Sequence, residues 1–145
     1  MPRKEVYRTT GTRLVVRVFG GYDLAAVDLQ RSDFAKQGYR KGVPMGGDLK
    51  SAPAGKAPAF LIRAQRDPDG ANLDRIQVIK GWLDASGKTH EKVYDVPKQR
   101  AFYYVRALEI PTPRWTACDQ VRFGTKMSPE VPMTQQERAW SSPIW

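Results

Sequence analysis

The residue types that most often carry chemistry are nearly missing, with one cysteine and one histidine among 145 residues. Cys118 has no intrachain disulfide partner, and together with His90 it falls short of the four ligands of a structural zinc site. Long apolar runs are missing too. The longest, Ala59 to Ile62 and Ala101 to Val105, hold four or five residues, where a membrane-spanning helix needs about 20. The opening Met-Pro-Arg-Lys-Glu is not followed by an apolar signal core. The chain is therefore expected to be soluble, cytoplasmic or periplasmic, with no membrane span. Acidic residues are outnumbered, 15 Asp and Glu against 24 Lys and Arg, for a formal net charge of +9. A nucleic-acid partner requires such charge to be gathered into a patch or stripe. Here it is spread from Arg3 and Lys4 through Arg63, Arg66, Lys80 and Lys88 to Arg138. Its densest groups, Arg40-Lys41 and Lys98-Gln99-Arg100, stand beside glycine or proline. No nucleic-acid partner is expected.

What is present is an ordinary globular composition, 41% hydrophobic and 27% charged, over a length suited to one domain. Short alternating runs are punctuated by Gly, Pro and Asp. Arg13 to Phe19 sets Leu14, Val16 and Val18 against Arg13 and Arg17, as a half-buried strand requires. Ala59 to Arg66 sets Phe60, Ile62 and Ala64 against Arg63 and Gln65, and Asp74 to Leu83 sets Ile76 and Val78 against Arg75 and Gln77. Asp84-Ala85-Ser86-Gly87 reads as a hairpin loop into a strand from Lys88 to Val96. Ala101 to Ile110, apolar on both faces and rich in aromatic and branched residues, reads as a central strand. Asp33 to Arg40 and Arg114 to Phe123 are helical or irregular connections too short to build a layer. Pro44 to Pro58 is a long surface loop. The pattern predicts a mainly β chain: an antiparallel β-sandwich of immunoglobulin or fibronectin type with one or two short helices in its connections. Phe102-Tyr103-Tyr104-Val105-Arg106 suits the strand where a tyrosine hydroxyl locks a corner.

Four oxygen-bearing side chains, Asp67, Asp69, Asn72 and Asp74, lie close enough in sequence to interest a hard cation such as Ca²⁺. The spacing is not that of an EF-hand, since glycine falls at the fourth position and Val78 stands where a bidentate glutamate belongs. The competing reading is an Asp-Pro-Asp-Gly turn, with proline presetting φ and Gly70 at a left-handed corner. In Gly42 to Leu49, Gly46, Gly47 and Asp48 invite comparison with an anion nest. No Gly-Lys-Ser/Thr ending follows, and a close-packed loop is the preferred reading. His90 reads as an exposed strand residue and Cys118 as a small packing residue. Trp82, Trp115, Trp140 and Trp145 are candidate anchors in a core or interface, or a sugar-stacking platform if they share one exposed row. The closing Ala139 to Trp145 has no polar tail, unusual for a free module.

Arg8 to Arg13, Phe19-Gly20-Gly21, Gly42 to Leu49, Asp67 to Arg75, Lys80-Gly81-Trp82, Ile110 to Trp115 and Glu137 to Trp145 occur in an order that resembles the C-terminal region of a large bacterial family, domain of unknown function 3604. The N-terminal portion of full-length members resembles metal-dependent hydrolases of the polymerase and histidinol phosphatase superfamily. The resemblance implies that residues 1–12 end an interdomain junction and that 13–145 form one sandwich domain. It implies no catalytic residue here, no cofactor in this part, and a divalent metal in the preceding domain, which would be the partner. Val6, Tyr7, Trp140, Pro143, Ile144 and Trp145 are then expected to form an apolar patch near the two termini. Through it the isolated chain self-associates, unless these residues fold back onto its own core. The alternative is a carbohydrate- or protein-binding sandwich module.

Overall fold

Side chains change faces at every residue of a strand, and the alternating runs turn that rule into two layers. The computed structural model describes residues 4–93 and 102–145. Chain order among them is β1 (Tyr7–Thr9), β2 (Val15–Gly21), α1 (Ala26–Gln30), α2 (Phe34–Lys41), β3 (Val43–Pro44), β4 (Ala59–Gln65), β5 (Leu73–Leu83) and β6 (Thr89–Val93). Then follow β7 (Phe102–Glu109), β8 (Thr112–Pro113), α3 (Trp115–Phe123), β9 (Thr134–Gln135) and β10 (Arg138–Ser141). One sheet has the order β1-β10-β7-β5-β6, a second β3-β2-β4, and β8 and β9 form a small ribbon. Every pairing is antiparallel.

The fold is thus mainly β and sandwich-like, with a few short helices. Leu14, Val16 and Val18 pack against Val105, Ala107, Ala139 and Ile144, with Phe60, Ile62, Ile76 and Val78 around them, so the main core lies between the two larger sheets. β7 occupies the centre of its sheet, as its composition suggests. A second cluster of Phe19, Leu61 and Phe34 sits on the outer face of the three-stranded sheet, beneath the helices. α1 is pinned to α2 by Asp28, whose buried carboxylate accepts the Ala25 N–H at 2.9 Å and the Lys41 ammonium at 2.7 Å. No helix among the described residues is long and apolar enough to cross a membrane.

Several local expectations are corrected. α1 went unpredicted, because its five residues carry too little periodicity to announce a helix. The strand expected from Lys88 to Val96 runs over Thr89–Val93, and positions 94–96, like Lys98-Gln99-Arg100, lie outside the described residues. Tyr104 donates its hydroxyl across β5 to Glu91 on β6 at 3.4 Å rather than to a backbone corner. The 67–70 turn closes with Gly70 N–H on the Asp67 carbonyl at 3.1 Å, but Gly70 is not left-handed. Glycine is required there for space, since a Cβ would stand 2.9 Å from Asp67 Cβ and 3.3 Å from Glu109 Oε1. Cys118 is exposed on α3 rather than packed. Ile144, expected on an outer patch, is 1% exposed and fills the main core.

Ile144→Ala is therefore expected to cost about 2–5 kcal/mol of unfolding free energy, the usual range for a buried aliphatic truncation. Val6→Ala, on a side chain left exposed, is expected to stay within about 0.5 kcal/mol. Urea denaturation of the two variants measures both.

Candidate functional site

Register decides what the outer face of the three-stranded sheet presents. β2 and β4 pair so that Arg17 lies directly opposite Arg63, and both point away from the core that Val16, Val18, Ile62 and Ala64 face. The helices cover the Phe19–Leu61 half of this face. The other half, Val15, Arg17, Arg63 and Gln65, lines a cleft of about 570 Å³. Ser32, Phe34 and Ala35 from the helical segment, with Glu5, Tyr7, Val16 and Met45, complete its lining.

Like charges directly opposite across strands are destabilising. Arg63 is held in place: its Nη2 donates to the Leu29 carbonyl at 3.0 Å and its guanidinium lies 4.3 Å from the centre of the Phe34 ring. Arg17 has no hydrogen-bond or ion-pair partner among the described residues. Glu5, the one carboxylate in the lining, accepts the Tyr39 hydroxyl. The helical wall is clasped by Asp33, which accepts Arg31 Nε at 2.7 Å and Gln37 Nε2 at 2.6 Å. The Arg31 guanidinium, then Gln37, holds that carboxyl down to about 2. Two guanidiniums on a partly apolar floor with one carboxylate can receive an anionic group bidentately.

The residues singled out from sequence lie elsewhere. Asp67 accepts the Arg13 N–H at 2.7 Å, the Asp69 N–H at 3.0 Å and Arg13 Nη2 at 3.2 Å, while Asp69 also pairs with Arg13. Asp74 pairs with Arg75 at 3.3 Å, and the carbonyl of Asn72 accepts the Ile110 N–H. Asp67 and Asp69 thus share Arg13, Asp74 turns to Arg75, and Asn72 contributes a backbone bond. Among the described residues no three His, Cys, Asp or Glu come together as a metal would require. Gly46 and Gly47 do not form a nest, because their N–H groups are spent on the Pro143 and Pro44 carbonyls at 3.0 Å each. Asp48 beside them is exposed. Trp82 stacks on His90, ring centres 5.3 Å apart, and His90 in turn bonds Asp84 at 2.8 Å. Trp140 extends from the opposite face of the same sheet, opposite Arg106 in register, while Trp115 stands exposed on α3 and Trp145 is exposed at 58%. The four indoles do not share a row.

Three features escaped sequence reasoning. The Arg17–Arg63 pairing needs a register that alternation alone does not supply. Lys80 is 2% exposed, with its Nζ unpartnered among the described residues and 4.7 Å from the Trp82 ring centre; burial, then Lys92, lowers its pKa. Glu109 is equally buried, and burial pushes its carboxyl above the ordinary range. A signal for these two existed, since Lys80 shares parity with Ile76 and Val78, and Glu109 with Val105 and Ala107.

The model of the family described as "Protein of unknown function (DUF3604)" matches residues 1–98 and 96–145. No curated protein matches the chain, and no solved structure does.

The two buried acids predict opposite pH dependences. The Arg13 N–H lowers the Asp67 pKa from 3.8, so its contribution to stability is present above that value and is lost as pH falls through the folded-state pKa. Glu109 is raised from 4.5, so its contribution is present below that value and is lost as pH rises through the folded-state pKa. Thermal melts across about pH 2–7 are expected to show Asp67→Asn flattening the acid limb and Glu109→Gln removing the loss at higher pH.

Proposed function

The chain belongs to that family, and we propose that it is the non-catalytic C-terminal accessory domain of a metal-dependent hydrolase. In this reading it braces the catalytic domain and lends a loop to its substrate pocket. The metal and its ligands reside in that preceding domain, which supplies the hydrolytic chemistry. The observation that carries the reading is an exposed set of large apolar side chains, Val6 at 60%, Tyr7 at 40% and Trp145 at 58%. Backbone hydrogen bonds anchor the segments that carry them. The Val6 carbonyl accepts the Ser142 N–H at 2.9 Å, Tyr7 pairs with Ser141, and the Trp145 carbonyl accepts the Leu49 N–H at 2.6 Å. Exposed large apolar side chains suit an interaction surface, and contacts between domains of one chain bury about 600–1,500 Å². Tyr7 also lines the arginine cleft, so a domain seated here would close over that cleft's rim. The scatter of the tryptophans removes support from the alternative, a carbohydrate-binding face.

The test compares the chain alone with the longer polypeptide carrying the preceding domain. The longer protein is expected to hydrolyse members of a phosphoester and amide panel in a divalent-metal-dependent manner, and the chain alone to turn over none. Val6→Ser with Tyr7→Ser and Trp145→Ser is expected to lower the Tm of the longer protein by several degrees more than that of the isolated chain. Metal-dependent turnover by the isolated chain contradicts the reading, as does a Tm loss equal in both proteins.

A further inference from the structure

We infer that the Arg17–Arg63 cleft binds a small organic anion, with a carboxylate or phosphate head between the two guanidiniums and an apolar body along the cleft. The inference is independent of the accessory role, since it concerns a site contained within this chain. It rests first on charge. A cross-strand arginine pair works against the sheet that carries it, yet Arg17 is left without a partner among the described residues. An anion between the two would relieve that repulsion and add charge-assisted hydrogen bonds from each fork. It rests second on preorganisation. Arg63 is already fixed by the Leu29 carbonyl and the Phe34 ring, so it gives up little side-chain freedom on binding. It rests third on shape. The cleft, about 570 Å³, falls within the roughly 300–1,000 Å³ of small-molecule sites. Val15 and Ala35 offer apolar surface beside the charges, with the buried Phe34 and Met45 behind them. Glu5 turns toward the Tyr39 hydroxyl, which draws the one lining carboxylate into a bond of its own. Ser32 and Gln65 add neutral polar groups for the remainder of the ligand.

The probes are phenyl phosphate and benzoate, with inorganic phosphate and benzyl alcohol as the head and the body alone, titrated into the chain at low salt and followed by calorimetry and amide shifts. At least one organic anion is expected to bind saturably with a Kd of about 1 mM or tighter, more tightly than inorganic phosphate, while benzyl alcohol does not bind. Which of the two binds assigns the head group. Arg17→Gln and Arg63→Gln are each expected to weaken binding about tenfold or more, and Arg8→Gln, on β1 outside the cleft lining, to leave it unchanged. Arg17 has no contact of this kind to lose, so Arg17→Gln keeps the test intact should Arg63→Gln fail to fold. Unchanged affinity in Arg17→Gln overturns the site, and inorganic phosphate binding as tightly as phenyl phosphate overturns the apolar body. Failure of both organic anions to saturate also overturns the inference. Binding to the isolated chain that vanishes in the longer polypeptide overturns it in favour of a carboxylate from the docked domain, an outcome that leaves the accessory reading standing.

Discussion

The short strap Pro143–Trp145 joins the two sheets, and the rest of the structure depends on that join. Ile144 exchanges both backbone hydrogen bonds with Tyr103 of β7, at 2.8 and 2.9 Å. On the other side Pro143 and Trp145 bond to Gly46, Gly47 and Leu49, the segment that follows the edge strand β3. The strap therefore pairs with the five-stranded sheet and the β3 loop at once, while the Ile144 side chain fills the space between the layers. Backbone groups buried at such a junction need partners, and each layer supplies the other's through the strap.

That join also shapes the cleft. Met45 donates its N–H to the Val18 carbonyl at 2.9 Å, which lays the loop alongside β2 and brings Met45 into both the core and the cleft lining. Gly46 follows with φ +83°, and a Cβ there would stand 2.0 Å from the Lys4 carbonyl. Only a residue without a side chain lets the segment holding Glu5 and Tyr7 lie this close. The cleft is thus bounded by a strand face whose register sets the arginines opposite one another, and by an N-terminal segment whose approach is set by Gly46.

Much of the scaffold was legible in the sequence. The alternating runs around Val16, Ile62 and Ile76 announced β2, β4 and β5, and the density of aromatic and branched residues announced β7 as central. The short elements were not legible, because a two-residue strand such as β3 or β8 is defined by its partner and not by any period of its own. The site was hidden for a related reason. Arg17 and Arg63 each read as the ordinary solvent-facing residue of a half-buried strand, and only pairing in register reveals two facing charges. The conspicuous sequence features were satisfied locally instead: Asp67 by Arg13 and neighbouring backbone, Gly46 and Gly47 by carbonyls, and His90 by Trp82 and Asp84.

Charges here sort by whether the fold gives them a partner. Asp28, Asp33 and Asp67 are paired or capped and hold wall, helix and turn in place. Arg17 is left for something outside the described residues. That sorting has meaning only if the two layers behave as one unit carrying a rigid cleft. Native-state hydrogen exchange measures this directly. The amides of Tyr103 and Ile144, on the five-stranded side, and those of Met45 and Leu49, on the side of the cleft, are expected to open with one common free energy close to that of global unfolding. Met45 and Leu49 opening at a much lower free energy while Tyr103 stays protected would contradict it, since the strap would then not bind the two layers together.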